Sequence, residues 1–402
     1  MLKGYYEELF RLLDEAVDEN AGEAIALSDR LADNPEVSGQ EESSSKMHAD
    51  LLKKHGFEVE LPFLDIPHSF CARIKREGKA KVALLVEYDA LPEIGHACGH
   101  NLHGAMSTLA GVAIARILRD GKTKGELLVI GTPAEETNGA KVLMADKGVF
   151  DDIDLAMMIH SGGGKSFVKY RSLALDALEF EFRGKSSHAA SAPWEGRNAL
   201  NGVQLFFHAI DMLRQHVRPE VRMHGIIVKG GDAPNIVPEK AIARFYFRAP
   251  WRSYLKKLVD QVLDCARGAA LATATEVVWR NYEYSFDNML PNSVAEELFE
   301  RVLLDLGVTL SEPPEAMGSS DMGNVSQRCP ALQPVLDVTG REVPLHTREF
   351  AELTKSRKAH ESLIIGAKAL ARATLIVFED DKLREEIRKA FLEAKEREAN
   401  IV

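Results

Sequence analysis

Two short runs in this chain are apolar at every position: V-A-L-L-V at residues 82–86 and L-L-V-I at 127–130. A half-exposed strand alternates apolar and polar residues, and an amphipathic helix buries a stripe. A run with no polar member has to be covered on both faces, as a strand is in a mainly parallel sheet with helices above and below. The stretch between the runs, about 102–119, has a helical pattern and supplies the crossover. Further strands are expected at 57–61, 70–74 and 155–159. Helices are expected at 5–33, with Leu9, Leu12, Leu13 and Ala16 on one face, at 42–55, where Gly56 stops the helix, and at 139–147.

The style changes in the middle. Strand 175–183, helix 197–214, strands 222–229 and 241–248, helix 251–270 and strand 275–283 follow the β-α-β-β-α-β order of the ferredoxin-like split unit. The α/β style then returns with a helix at 292–306, a strand at 332–338 and helices at 360–378 and 382–399. The predicted fold is therefore α/β. Residues 1–172 and 286–402 form a discontinuous catalytic domain around a central, mainly parallel sheet, and 173–285 form an inserted α+β domain. The last helix carries Leu383, Ile387, Phe391 and Ala394 in a stripe. Its polar face is not basic, so packing on its own domain is expected over a membrane or a calmodulin-like partner.

Charge narrows the partners. Fifty Lys and Arg stand against 61 Asp and Glu, a net −11, which argues against nucleic acid or an anionic membrane as the main partner. No apolar run approaches the roughly 18 residues of a membrane span, and the opening M-L-K-G-Y-Y-E-E-L-F-R does not read as a secretory signal. Four cysteines, Cys71, Cys98, Cys265 and Cys329, are too few for a disulfide framework in a chain this long. A cytoplasmic, reducing setting is the expectation.

The segment E-Y-D-A-L-P-E-I-G-H-A-C-G-H-N-L-H-G, residues 87–104, follows a buried strand and precedes a helix. That carboxyl edge is where open α/β sheets bind ligands. Cys98 and His100 can converge on one ion from a turn, and thiolate with imidazole favours zinc or another borderline metal. The same residues also allow helix-cap polar groups beside a buried cysteine, or a nucleophilic Cys98 with a histidine base. A second segment, G-T-P-A-E-E-T-N-G-A at 131–140, also follows a buried strand. Of its adjacent carboxylates, Glu135 and Glu136, one can hold a metal while the other stands free as a base, unless the loop is merely solvated. His160 ends a third strand before three glycines. P-L-H-T-R-E-F places His346 in a loop before a helix, and G-S-S-D-M-G-N-V-S surrounds Asp321. Three strand ends supplying Cys, His, Glu and His together outline a binuclear site, in which two metals roughly 3.5–4 Å apart polarise a carbonyl.

The pattern resembles the aminoacylase/carboxypeptidase G family of binuclear metallopeptidases. Within it, the chain is most similar to the amidohydrolase branch of p-aminobenzoyl-glutamate hydrolase, plant auxin-conjugate hydrolases and dipeptidases of the aminoacylase-1-like-2 type. H-A-C-G-H-N, P-A-E-E, the strand-end histidine and P-L-H occur in the family's order over nearly the whole chain, starting from N-P-E-V-S-G-Q-E. The resemblance implies Cys98, His100, Glu136, His160 and His346 as ligands of two divalent ions per subunit. Zn2+ is favoured, with Mn2+ or Co2+ as alternatives. It implies Glu135 as the catalytic base, and His188, Asn235 and Arg248 as groups binding the scissile oxygen and the substrate carboxylate. His188 would come from the partner subunit of a homodimer formed through the inserted lid domain. An Arg fork suits a free carboxylate. His188 also reads as a surface loop residue and Arg248 as a salt-bridged strand end.

Two features depart from the wider family. Most members carry H-x-D where this chain has Glu87-Tyr88-Asp89, and most bridge their metals with an aspartate where Cys98 falls here. Both are features of the amidohydrolase branch. Glu87, Asp89, His96 and His103 are candidates for groups that orient ligands. The expected reaction is hydrolysis of the amide bond of a dipeptide or N-acyl amino acid with a free carboxylate. Dipeptidase, aminoacylase and aminobenzoyl-glutamate hydrolase remain as variants. A metal-dependent binding protein without catalysis is the reading from another class, and it predicts a missing base or ligand.

Overall fold

The computed structural model describes residues 2–314 and 318–401, which divide into two compact units. One takes the chain through Arg171, resumes from Met289, and includes Asp321–Glu396. The other is Ser172–Asn288 with Gly318–Ser320 and the residues from Arg397 on.

The first unit is built on a six-stranded sheet. Its order is Glu58–Glu60, Phe70–Arg76, Gly125–Gly131, Lys81–Val86, Leu155–Met157 and Ala331–Leu332. The last four pair in parallel, and the first two join antiparallel. The run at 82–86 behaves as its composition demands. Val82, Leu84 and Val86 face one apolar cluster, shared with helices Leu2–Asp33, His100–Arg119 and Arg357–Glu379. Ala83 and Leu85 face another, with Met144, Phe150, Met322 and Val325. All five are essentially inaccessible, and full burial of each Val or Leu contributes about 1.5–3 kcal/mol.

The stretch read as one strand at 332–338 is two. Ala331–Leu332 pairs with Leu155–Met157, whereas Val335–Asp337 pairs with His160–Gly162 as a separate ribbon. Pro334 stands at the break and has no N–H to donate. Both chains leave the main sheet together, and His160 N–H still reaches the Pro334 carbonyl (2.8 Å). The last helix, Asp381–Ala399, buries Ile387, Ala390 and Ala394, and the Ile387 carbonyl accepts from Asn292 Nδ2 at 2.9 Å. It packs on its own chain. Among the described residues no helix is long and apolar enough to cross a membrane.

The second unit has the split β-α-β-β-α-β order. Its antiparallel sheet runs Glu276–Asn281, Ala174–Arg183, Lys240–Ala249, Arg222–Lys229. Burial alternates strictly along Lys240–Ala249. Ala241, Ala243, Phe245 and Phe247 enter a core with Phe180 and Phe206 beneath helices Ala199–Leu213 and Arg252–Ala272. Arg244, Tyr246 and Arg248 therefore face away from that core.

His48, on helix Glu42–Lys54, is wholly buried. Its Nδ1 lies 2.8 Å from Thr108 Oγ1. Burial, with the nearby His96 adding to it, pushes His48 from the ordinary 6.5 down to about 3. The unfolded chain therefore takes up this proton first, so the contribution is complete above pH 6.5 and is lost as pH falls toward 3. The expected loss is about 2 kcal/mol at pH 5. Urea midpoints measured between pH 7 and pH 5 should fall less steeply in His48→Gln than in the parent.

Candidate metal centre

Parallel strands bring their carboxyl ends to one edge, and three adjacent strands end here. Lys81–Val86 delivers Glu87 and Asp89, Gly125–Gly131 delivers Glu135 and Glu136, and the chain beyond Leu155–Met157 delivers His160. The loop before helix His100–Arg119 adds Cys98, and the first turn of that helix adds His100 and His103 on one side, three residues apart. Gly99 makes this approach possible. Its φ is +79°, and a Cβ there would lie 2.6 Å from Ser161 Cβ. Ala134, just before the two glutamates, and His346 both have positive φ, 62° and 60°. Ala134 is held there by its N–H bond to Glu41 Oε1 (2.7 Å), and His346 by its N–H bond to the Ala97 carbonyl (2.9 Å).

Hydrogen bonds decide which lone pairs face inward. His100 Nδ1 bonds Asp89 Oδ1 (2.9 Å), leaving Nε2 buried with no hydrogen-bond partner. His160 Nδ1 bonds the Ser161 carbonyl (2.8 Å), leaving Nε2 directed at Cys98 Sγ (3.4 Å). In both rings the Nδ1 bond fixes the tautomer and presents the Nε2 lone pair. His103 differs. Its Nε2 lies 2.9 Å from Glu87 Oε2, and its Nδ1 accepts from Ser161 N–H (3.2 Å), so neither nitrogen is available. Glu87 is likewise spent, with Oε1 taken by Lys141 Nζ at 2.6 Å.

The remaining donors converge. Glu136 Oε1, also buried without a hydrogen bond, lies 3.5 Å from His346 Nε2 and 3.9 Å from His100 Nε2. Cys98, Glu136 and His346 have ligand atoms within 4.8 Å of one another, as do His100, Glu135 and Glu136. Two ligands about 2.1 Å from one tetrahedral ion stand about 3.4 Å apart, so this spacing suits shared cations. The chemistry agrees. Two buried polar atoms lack partners, and burial pushes the Cys98 thiol up, so a thiolate there needs a cation beside it.

Charge is arranged around this centre. Burial alone would raise Asp89, but His100, the Glu136 N–H and the Ser38 hydroxyl (2.6 Å) hold it at about 2. Glu135 goes the other way. Burial raises it, and the charges of Glu87, Glu136 and Asp321 push in the same direction. His346 is raised by its contact with Glu136. Lys141 is wholly buried between Glu87 and Asp321, 2.6 Å from each.

The structure thus gathers Cys98, His100, Glu135, Glu136, His160 and His346 in the first unit. His188, Asn235 and Arg248 lie in the second. There Ala189 N–H bonds the Asn235 carbonyl (3.0 Å), so His188 and Asn235 sit on neighbouring loops. Arg248 Nη1 donates to Ser319 Oγ (2.9 Å) and its guanidinium lies over the Tyr246 ring. Sequence reasoning missed Lys141. Its available signal was a lysine in a short helix, A-K-V-L-M-A-D, that is otherwise largely apolar.

A Cys/His/Glu donor set at the carboxyl edge of a mixed sheet, beside a second glutamate, defines the metal-dependent hydrolase class. Residues 83–375 match the model of Peptidase family M20/M25/M40, and the chain belongs to that family, whose members are metal-dependent amide hydrolases. It is 34% identical to the Xaa-Arg dipeptidase of Homo sapiens over 96% of this chain and 92% of that protein. It is 27% identical to a p-aminobenzoyl-glutamate hydrolase chain of Escherichia coli K12 over 94% of each. Among solved structures, a dinuclear metal-binding M20 peptidase from Bacillus subtilis matches with a TM-score of 0.68 at 20% identity, over 90% of this chain and 99% of the other.

Asp89 fixes the His100 ring, so Asp89→Asn is expected to weaken divalent-metal affinity about 10- to 100-fold. Competition against a chromophoric chelator measures it, and unchanged affinity would mean that Asp89 orients no ligand.

Proposed function

We propose that the chain hydrolyses the amide bond of a dipeptide, or of an N-acyl or aryl-acyl amino acid, whose leaving part carries a free carboxylate. The observation that carries this reading is the pair of orphaned buried atoms, His100 Nε2 and Glu136 Oε1, converging with Cys98, His160 and His346 beside Glu135. Cys98, His100, Glu136, His160 and His346 would hold two divalent cations, with zinc favoured by the thiolate and manganese or cobalt compatible. Such cations supply Lewis acidity, polarising the amide carbonyl and easing deprotonation of water.

The protein's own groups do the rest. Glu135, raised by burial and by its neighbours' charge, takes the proton of the attacking water and returns it to the leaving amine. His188 Nδ1 accepts from the N–H groups of Ala190 and Ser191, both at 3.2 Å, so its proton sits on Nε2. That makes it an outward N–H donor for the charge developing on the carbonyl oxygen. Asn235 and the fork of Arg248 would hold the substrate carboxylate. The dipeptidase relatives, more similar over the full length than the aminobenzoyl-glutamate relative, favour a dipeptide ending in a basic residue. The free state of all four cysteines suits a reducing, cytoplasmic setting.

The assay is a panel of Xaa-Arg dipeptides, N-acyl amino acids and p-aminobenzoyl-glutamate with added zinc, manganese or cobalt. Glu135→Gln should lower kcat about 10^2- to 10^4-fold while metal content stays at the parent level. Full activity in that variant would defeat the reading.

A homodimer through the inserted unit belongs to the same proposal. Its edge strand Arg222–Lys229 exposes Ile226, Ile227 and Val228, and the neighbouring helix exposes Leu205 and Met212. An apolar open edge of this kind invites pairing with a second copy. Sedimentation of the parent should give a dimer and of Ile226→Lys/Val228→Lys a monomer. A monomeric parent would dismiss the assembly and leave His188 to act within its own chain.

A further inference from the structure

Glu87, Glu135 and Asp321 place a carboxylate oxygen each within 4.8 Å of one another. Three carboxylates so arranged would ordinarily recruit a divalent ion. Here an ammonium is already among them. Lys141 Nζ lies 2.6 Å from Glu87 Oε1 and 2.6 Å from Asp321 Oδ1, and its side chain is wholly buried. Asp321 also accepts from the Lys141 backbone N–H through Oδ2, at 3.2 Å. One carboxylate thus grips both ends of the residue, and the side chain cannot swing out. An ammonium has three N–H groups. Glu87 and Asp321 take two; Glu135, the third carboxylate of the cluster, makes no direct ion pair with the ammonium and feels it through its charge.

We propose that Lys141 is a positioning residue for Glu135 and serves as a resident cation that keeps a metal ion off the base. The inference rests on Glu135 acting as that base. Glu135 stands among the like charges of Glu87, Glu136 and Asp321, and alone it would be repelled from the position it must hold. A divalent ion in the cluster would supply the missing charge, but by coordinating Glu135 it would consume the lone pair that accepts the proton. A lysine supplies charge without a coordinate bond, so Glu135 stays in place with its lone pairs uncoordinated. Glu87 carries the arrangement further. Its other oxygen bonds His103, which accepts from Ser161 beside His160, so the ammonium also braces the wall behind the metal centre.

The test uses the full chain with two variants. Lys141→Ala opens the cluster, and Lys141→Met/Asp321→Asn removes one charge of each sign, so it is the variant able to fold if the first does not. Circular dichroism establishes folding. With the dipeptide the parent turns over best, both variants should lose about 100-fold or more in kcat with KM within about threefold of the parent. Propylammonium, which replaces the deleted atoms, should restore kcat in Lys141→Ala by about tenfold, as an oriented charge would. Manganese titration of that variant should find one ion per chain more than in the parent. A folded double variant with parental kcat overturns the proposal, as does Lys141→Ala that gains neither activity from propylammonium nor an extra manganese. Glu135→Gln run alongside separates the two levels: if it is active, the assignment of the base itself has failed.

Discussion

The constraint on which this structure turns is the balance of buried charge. Glu87, Asp89, Glu135, Glu136 and Asp321 meet at the carboxyl edge of one sheet, with the Cys98 thiol among them. Removing carboxylates from water without compensation costs several kcal/mol each. Lys141 answers part of that charge, and the hydrogen bonds that Asp89 accepts from Ser38 and the Glu136 N–H and shares with His100 answer another part. Two of the buried atoms left without a hydrogen bond, His100 Nε2 and Glu136 Oε1, lie 3.9 Å apart. Donor atoms gathered so closely suit a cation, and the energy of binding one would contribute to folding. The edge thus sets a fixed ammonium, that of Lys141, beside a candidate metal site.

Much of this was legible in the sequence because parallel strands leave a local record. A short apolar run followed at once by Cys, His or Glu says that the polar group stands at a strand's carboxyl end. That reasoning singled out Glu135, Glu136 and His160, and the loop that carries Cys98, as candidates with no knowledge of which strands were neighbours, and the structure brings them to one edge. It took His100 as a ligand and set His103 aside as an orienting group, although both occupy one helical turn and share a face. The structure gives them different partners, Asp89 for one and Glu87 with Ser161 for the other. Lys141 escaped notice. Its partners are 54 and 180 residues away, and an ion triad of that span leaves no periodicity. Asp321 was noticed as a motif, but its purpose is visible only beside the lysine. The strand read through 332–338 failed at Pro334, where a missing N–H outweighed an apolar pattern.

The inserted unit was legible for a different reason: it closes on itself. Leu175 and Phe286, at its entrance and exit, exchange both backbone hydrogen bonds, 2.8 and 3.0 Å. Arg252 fastens the same stem, reaching Asp287 and Asp176 at 2.7 Å each and the Phe286 carbonyl. When the ends of an insertion are tied together, the host chain bears little extra loop-closure entropy, and the insertion can evolve a core of its own. The alternation along Lys240–Ala249 follows from that independence. With one face committed to Phe180 and Phe206, the other is free for Arg244, Tyr246 and Arg248, residues whose length and charge would be intolerable inside. The separation of labour in the sequence thus has a physical origin. Continuous apolar strands can present function only at their ends, whereas a sheet covered on one face can also present it from the middle of a strand.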